Sequence, residues 1–305
     1  MQANPPLSPT LVQSIAEDSA AEPTGAGFGI LIIGDEILSG KRADKHLSKC
    51  IELLSARGIA LDWAEYVGDS PARITSLLKR AFDGARTRGD VVFSTGGIGA
   101  TPDDHTRQCA ARALGEELAL HPQAAAFIYE RMQDVAKENG KPYEPERDDN
   151  KHRLNMGMFP ASAQIIPNPY NKIAGFSCFV GPERADAAAR AGLHFVPGFP
   201  VMAWPMMEWV LDTHYAHLHQ SDASVEKSVI AMGSMEATLT PLMEQIEADF
   251  AGVKVFSLPS VDHPQYGRHI ELGVKGSAQL VDRAYPALLA GLHQFGVVLG
   301  PELVR

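Results

Sequence analysis

Short apolar runs alternating with stretches of helical spacing constrain this 305-residue chain more than any other feature. Phe28 to Ile33 (FGILII) is closed by Gly34, which suits a strand buried on both faces. From Asp44 to Arg57 the apolar positions Leu47, Ile51 and Leu54 recur at helical spacing, and Gly58 stands where a C-cap would be. A strand from Leu61 to Val67, a helix from Ala72 to Arg86 and a strand from Val91 to Ser94 follow. This βαβαβ rhythm predicts a mostly parallel sheet with helices on both faces, a three-layer α/β/α domain. Right-handed crossovers put every loop that follows a strand on one edge, where such sheets bind ligands. GDE at 34 to 36, the loop at Gly96-Gly97 and the turn at Gly198 in LHFVPGFP are therefore expected to converge on one crevice.

A formal charge of −10 with no block of like charges leaves no electrostatic footprint for nucleic acid or an anionic membrane, so small molecules or other protein chains are the expected partners. Cys50, Cys109 and Cys178 are widely spaced and odd in number, which argues against a disulfide framework or a zinc knuckle. Residues 1–26 are rich in Pro, Ala and Ser and lack the basic start and apolar centre of a signal peptide. They are expected to form a disordered tail on a cytoplasmic chain, and no apolar run is long enough for a membrane helix. After residue 221 the pattern becomes βαββα, enough for a small α+β domain of its own. The expected division is thus 27–220 and 225–305, with the boundary at Ser221 to Ser224.

STGGIGATPDDHT, residues 94 to 106, supports two readings. Thr101-Pro102-Asp103-Asp104 has the composition of a helix start: a capping residue, proline at the first position and acids in the first turn. That cap leaves Gly96, Gly97 and Gly99 unexplained. Glycines there let backbone N–H groups approach an anion, and paired carboxylates beside a phosphate require a divalent cation.

Four segments in this order, GDEILSG (34 to 40), TGGIGATPDDHT (95 to 106), FPASAQIIPNP (159 to 169) and VPGFP (196 to 200), resemble the molybdopterin-binding fold of molybdenum-cofactor biosynthesis proteins. Within that superfamily they are most similar to the amino-terminal domain of the competence/damage-inducible CinA family. The resemblance covers roughly residues 27 to 220, and the tail is similar to the small KH-like domain that follows there. The chain leaves no room for the family's further deamidase domain, so that activity is not expected.

The resemblance implies a phosphorylated pterin or a dinucleotide as ligand. The implied activity is a metal-dependent pyrophosphatase acting on ADP-ribose or FAD, with Mg, Mn or Co as the ion. A non-catalytic molybdopterin or nucleotide binding module, and molybdopterin adenylyltransfer, are the alternatives. It also implies a homo-oligomer, dimer or trimer. Asp103 and Asp104 would hold the metal and, with Asp35, act in catalysis. Gly34, Glu36, Asp44, Thr95, Gly96, Gly97, Gly99, Thr101, Thr106, Gly198 and Pro200 would line the ligand. Three positions depart from the family pattern: His46 replaces an asparagine, Ala100 a proline and Met202 a glutamate.

Other features read as structural. His214, His217 and His219 are expected at a solvated helix end, and Trp204, Trp209, Met206 and Met207 in a core or subunit interface. PYEPERDDNKHR is expected to be a solvated loop, and GVKG at 273 to 276 a turn at a strand end, which with the sparse basic charge speaks against RNA.

Overall fold

The computed structural model describes residues 26–181, 190–219 and 225–304. The tail expected at 1–26, apart from Ala26, and the boundary expected at 221–224 lie outside the described residues. The chain divides into two compact units, one of residues up to 54 and 60–218, the other of 55–59 and from 219 onward.

The first unit is built on a six-stranded sheet. In chain order its elements are β1 (Phe28–Ile33), α1 (Asp35–Leu38), α2 (His46–Ser55), β2 (Trp63–Val67), α3 (Pro71–Arg88), β3 (Val91–Thr95), α4 (Thr106–Leu114) and β4 (Leu118–Leu120). Then come α5 (Pro122–Glu138), α6 (Asp148–Leu154), β5 (Met158–Pro160), β6 (Gln164–Ile166), β7 (Gly175–Val180), β8 (Ala191–Val196) and α7 (Pro200–His214). The strand order is β2-β1-β3-β8-β7-β6, and β4 pairs with β5 apart from it. Pairing is parallel from β2 through β8, and only β7 runs against its neighbours.

Every residue of β1 is buried, as its continuous apolar run requires when both faces are covered. On one face Leu31, Val92, Leu193 and Phe195 pack against Leu78 and Phe82 of α3 and Ala110 of α4. Phe176 lies between Phe195 and Phe159, with ring centroids 4.4 and 4.6 Å apart. The opposite face carries α7, whose Met206, Met207, Val210 and Leu211 are fully buried. Trp204 and Trp209 are half-buried. These layers are the expected α/β/α arrangement.

Two local expectations fail here. DDNKHRL forms α6 because Asp148 and Asp149 occupy its first turn and Lys151, His152 and Arg153 its last, matching the helix dipole at both ends. His214 is no solvated helix end: its ring lies 5.1 Å from that of Phe179 and 5.4 Å from that of Trp209, and burial lowers its pKa.

The second unit comprises β9 (Val225–Met232), α8 (Glu236–Asp249), β10 (Lys254–His263), β11 (Gly267–Gly276), α9 (Ala278–Gln294) and β12 (Val298–Val304). Its antiparallel sheet, in the order β10-β11-β9-β12, packs Val229, Leu272 and Val274 against Leu239, Leu288 and Leu292 of the helices. The βαββα pattern is therefore extended by one strand. VLGPELV hides this in sequence because Gly300 and Pro301 interrupt it, where the pairing with β9 shifts register. GVKG also differs from expectation, since it is the end of β11 itself, with Gly273 to Lys275 paired on both sides and Gly276 paired to β9.

Beneath the first sheet, Ser177 Oγ lies 2.8 Å from His194 Nδ1, and His194 Nε2 2.8 Å from the Tyr215 hydroxyl. All three side chains are buried, so the group is a satisfied polar link between β7, β8 and the end of α7. Burial pushes the His194 imidazole down to about 3. The unfolded imidazole takes a proton near pH 6.5 and the folded one does not, so the unfolded state binds more protons and stability falls as pH falls across that window. Acidification from pH 7 to 5 should cost the first unit roughly 2 kcal/mol through this group. Urea unfolding of His194→Gln at both pH values should show a flatter dependence than the wild-type protein.

Candidate functional site

The carboxyl ends of β1, β2, β3 and β8 meet at one edge, and backbone hydrogen bonds stitch the loops that leave them. Gly34 N–H donates to Val67 C=O at 3.0 Å and Gly96 N–H to Val196 C=O at 3.1 Å. Gly96 has φ +94°, and a Cβ there would collide with the Ile33 carbonyl oxygen, so only glycine lets the third loop lie against the end of β1. Gly97, with φ +68°, is pressed against the Thr106 hydroxyl in the same way. Gly198 approaches the same point, since a Cβ on it would sit 3.5 Å from Gly96 Cα.

These loops enclose a cavity of about 390 Å³. Of the residues expected in the site, Gly34, Glu36, Gly96, Gly97, Gly99, Thr101, Asp103, Asp104 and Gly198 line it. Asp35, Asp44, Thr95, Thr106 and Pro200 are not among its lining residues, and each has a local task. Asp35 Oδ1 accepts the Asp69 N–H at 3.2 Å. Asp44 accepts the N–H groups of His46 and Leu47, at 2.8 and 3.1 Å, and the Tyr66 hydroxyl at 2.9 Å. Thr95 lies within β3 with its hydroxyl 3.4 Å from Leu31 C=O. Thr106 donates its hydroxyl to Gly96 C=O at 3.1 Å and its N–H to Gly97 C=O at 3.0 Å. Pro200 opens α7.

The TPDD segment does not start the helix. The first residue of α4 is Thr106, and no acid lies in its first turn. Asp104 instead closes a turn on Thr101, accepting its N–H at 2.8 Å and its hydroxyl at 2.5 Å, while Asp104 N–H donates to Thr101 C=O at 3.0 Å. This local turn outcompetes the helix, and the tie of Thr106 to Gly96 and Gly97 sets the helix entry two residues later. Asp103 remains exposed. Its carboxyl lies below the usual range, because Thr101 and its own backbone beside it favour the charged form.

Two site residues escape a reading of the sequence. Asp69 follows β2 at the same edge, lines the cavity, and accepts the Asp35 N–H at 2.9 Å. Burial, then the charges of Asp35, Glu36 and Asp103, raise its pKa. The string VGDS, a near copy of IGDE at the previous strand end, was the available signal. Arg107 is buried, donates from Nη1 to Ile98 C=O at 2.8 Å and leaves Nε without a partner. Desolvation lowers its pKa to about 10, against the pull of Asp104, so it remains a cation beneath the glycine loop at neutral pH. Nothing in the sequence distinguishes it from an exposed helical arginine.

The departures from the family pattern also take defined places. His46 is buried and lies with Nε2 3.1 Å from Gly198 C=O, pinning the loop after β8 to α2; burial lowers its pKa. Met202 lines the cavity and accepts from Asn171 Nδ2 at 3.3 Å through its sulfur.

A divalent ion can be tested against these donors. Glu36, Asp69, Asp103 and Asp104 line one cavity, and the upward shift of Asp69 comes first from burial and then from the charges of Asp35, Glu36 and Asp103. Among the described residues no three His, Cys, Asp or Glu side chains already converge as a metal cluster. An ion held here would have to take one or two carboxylates and complete its shell with phosphate oxygens and water, as magnesium does.

Because burial and then neighbouring charge raise the pKa of Asp69, its ionised form is disfavoured in the folded protein, and Asp69→Asn should leave the thermal midpoint at pH 7 unchanged or higher, since the amide still accepts the Asp35 N–H. Asp35→Ala should instead lower stability by about 1 kcal/mol, since it strips an acceptor from the loop after β2. Differential scanning calorimetry of both variants measures the contrast.

A family model described as "Probable molybdopterin binding domain" matches residues 29–217. A Thermoplasma volcanium protein is 27% identical over 230 residues, which cover 75% of this chain and 79% of that protein. A CinA-like protein of Geotalea uraniireducens is 29% identical over 252 residues, 82% of this chain and 54% of its own length. A CinA-like protein of Citrifermentans bemidjiense is 33% identical over 181 residues, 59% and 38% respectively. The match thus spans about half or less of these two CinA-like relatives. A solved structure of the protein CinA from Thermoplasma acidophilum, described as of unknown function, is 23% identical with a TM-score of 0.49, covering 62% of this chain and 98% of that one. With its family match over residues 29–217, the chain belongs to the molybdopterin binding domain family.

Proposed function

We propose that this protein binds a phosphorylated pterin or a dinucleotide diphosphate in the cavity at the sheet edge and hydrolyses the phosphoanhydride with the help of a divalent ion, Mg, Mn or Co. The observation that carries this reading is a glycine-walled cradle and four carboxylates facing one 390 Å³ cavity. The positive-φ glycines bring backbone close to the ligand, and the buried Arg107 cation favours an anion on the loop above it. Asp103 and Asp104, with Glu36 or Asp69, would hold the ion. Bound there, it would neutralise a bridging diphosphate and lower the pKa of attacking water. Amides of the glycine loop would stabilise charge developing on the phosphoryl oxygens. The family to which the chain belongs supports the ligand class.

A second reading, binding without turnover, is favoured by Met202: a thioether stands in the cavity where the pattern implied by the resemblance has a glutamate, which removes one hard donor.

The purified protein incubated with ADP-ribose or FAD should release a nucleoside monophosphate only when Mg, Mn or Co is added. Asp103→Ala, which alters an exposed side chain, should lower kcat/KM on the order of a hundredfold. Asp104→Asn, which keeps an acceptor for Thr101, should do the same without loss of thermal stability. Tight binding of these compounds with no turnover above background would select the second reading, and absence of binding would overturn both.

A further inference from the structure

The cavity has two kinds of lining. Besides the glycines and carboxylates it is lined by the apolar side chains of Met156, Ile173, Phe199 and Met202. Phe199 is the anomaly there. It follows Gly198 directly, caps α7 in an extended conformation and remains 55% exposed. The Arg42 guanidinium carbon stands 5.8 Å from its ring centroid, so a planar cation backs an aromatic ring at the cavity. Arg42 itself is held to the GDE loop, with its N–H donating to Glu36 C=O at 3.0 Å and its guanidinium 3.9 Å from the Glu36 carboxylate. A large ring left exposed beside a nearby core, with a guanidinium over it, is a surface suited to stacking.

Beside it, the Asn171 amide is oriented by its own contacts. Its Oδ1 accepts from Asn168 Nδ2 at 2.8 Å and from Ile173 N–H at 3.0 Å, which turns Nδ2 toward Met202 Sδ. Among the described residues Nδ2 makes only that contact, which leaves one N–H available at the cavity wall.

We propose that Phe199, backed by Arg42, is the stacking face for a planar nitrogen heterocycle, base or pteridine-like ring, and that the spare Asn171 N–H meets an acceptor on that ring. Phe199 and Asn171 are then the residues that select for ring-bearing phosphates over bare ones. The proposal rests on the reading of the glycine loops as a phosphate site, and it assigns the apolar lining of the same cavity.

Isothermal titration with ADP-ribose, FAD and inorganic pyrophosphate, each with magnesium, separates the two. Phe199→Ala is expected to weaken ADP-ribose or FAD about tenfold, within the range for loss of one base-stacking contact. It should leave pyrophosphate within about twofold, and Phe199→Trp should restore ring-bearing ligands. Asn171→Ala should act in the same direction, and Phe199→Ala should unfold at the wild-type temperature because its ring is exposed. Equal weakening of all three ligands by Phe199→Ala, or no weakening, overturns the stacking assignment. Wild-type protein that binds pyrophosphate as tightly as ADP-ribose and FAD also overturns it, while leaving the phosphate reading intact. Wild-type protein that binds none of the three overturns the phosphate reading itself.

Discussion

The contact between Gly96 and the Ile33 carbonyl is the constraint on which the rest of the candidate site depends. Adjacent parallel strands lie close enough that the loops leaving them compete for the same space, and a side chain on either loop would push them apart. With glycine at φ +94° the third loop folds back against the end of β1, and its N–H is satisfied by Val196 of the strand on its other side. Thr106 then ties the loop to the start of α4 through both its N–H and its hydroxyl. The cavity is the space these constraints leave open.

Electrostatics divide that cavity. Glu36, Asp69, Asp103 and Asp104 gather on its walls, and burial together with the charges of Asp35, Glu36 and Asp103 raises the pKa of Asp69. Beneath the loop lies the opposite sign, the buried guanidinium of Arg107 held by the Ile98 carbonyl. Such an arrangement costs stability when empty and becomes favourable when a cation and an anion arrive together, as with a metal-bound phosphate. The apolar wall with its exposed ring adds a surface that charge alone does not require.

Several residues expected to touch a ligand also hold the frame. Asp35 and Asp69 exchange hydrogen bonds between two neighbouring loops, and Asp44 gathers the start of α2 and the edge strand β2 through Tyr66. The distinction matters for reading acidic motifs: a carboxylate in a strand-end loop has unpaired backbone N–H groups within reach, and satisfying them is a full use of its lone pairs. Asp103 and Asp104 divide likewise, one exposed and the other partly committed to Thr101.

The sequence by itself determined the alternation of strands and helices, hence the parallel sheet, the edge where its loops meet and the glycines that let them meet. These follow from periodicity and chain handedness, which are local or generic. It also carried the motif that assigns the family. Tertiary structure alone decided which acids face the cavity, that TPDD makes a turn ahead of the helix, that Arg107 lies beneath the loop and that Phe199 stays outside the core. It also added β12, whose pairing with β9 is invisible in a run broken by glycine and proline. Each of these depends on which distant carbonyl, carboxylate or ring occupies the neighbouring space, and that is set by packing between segments far apart in the chain.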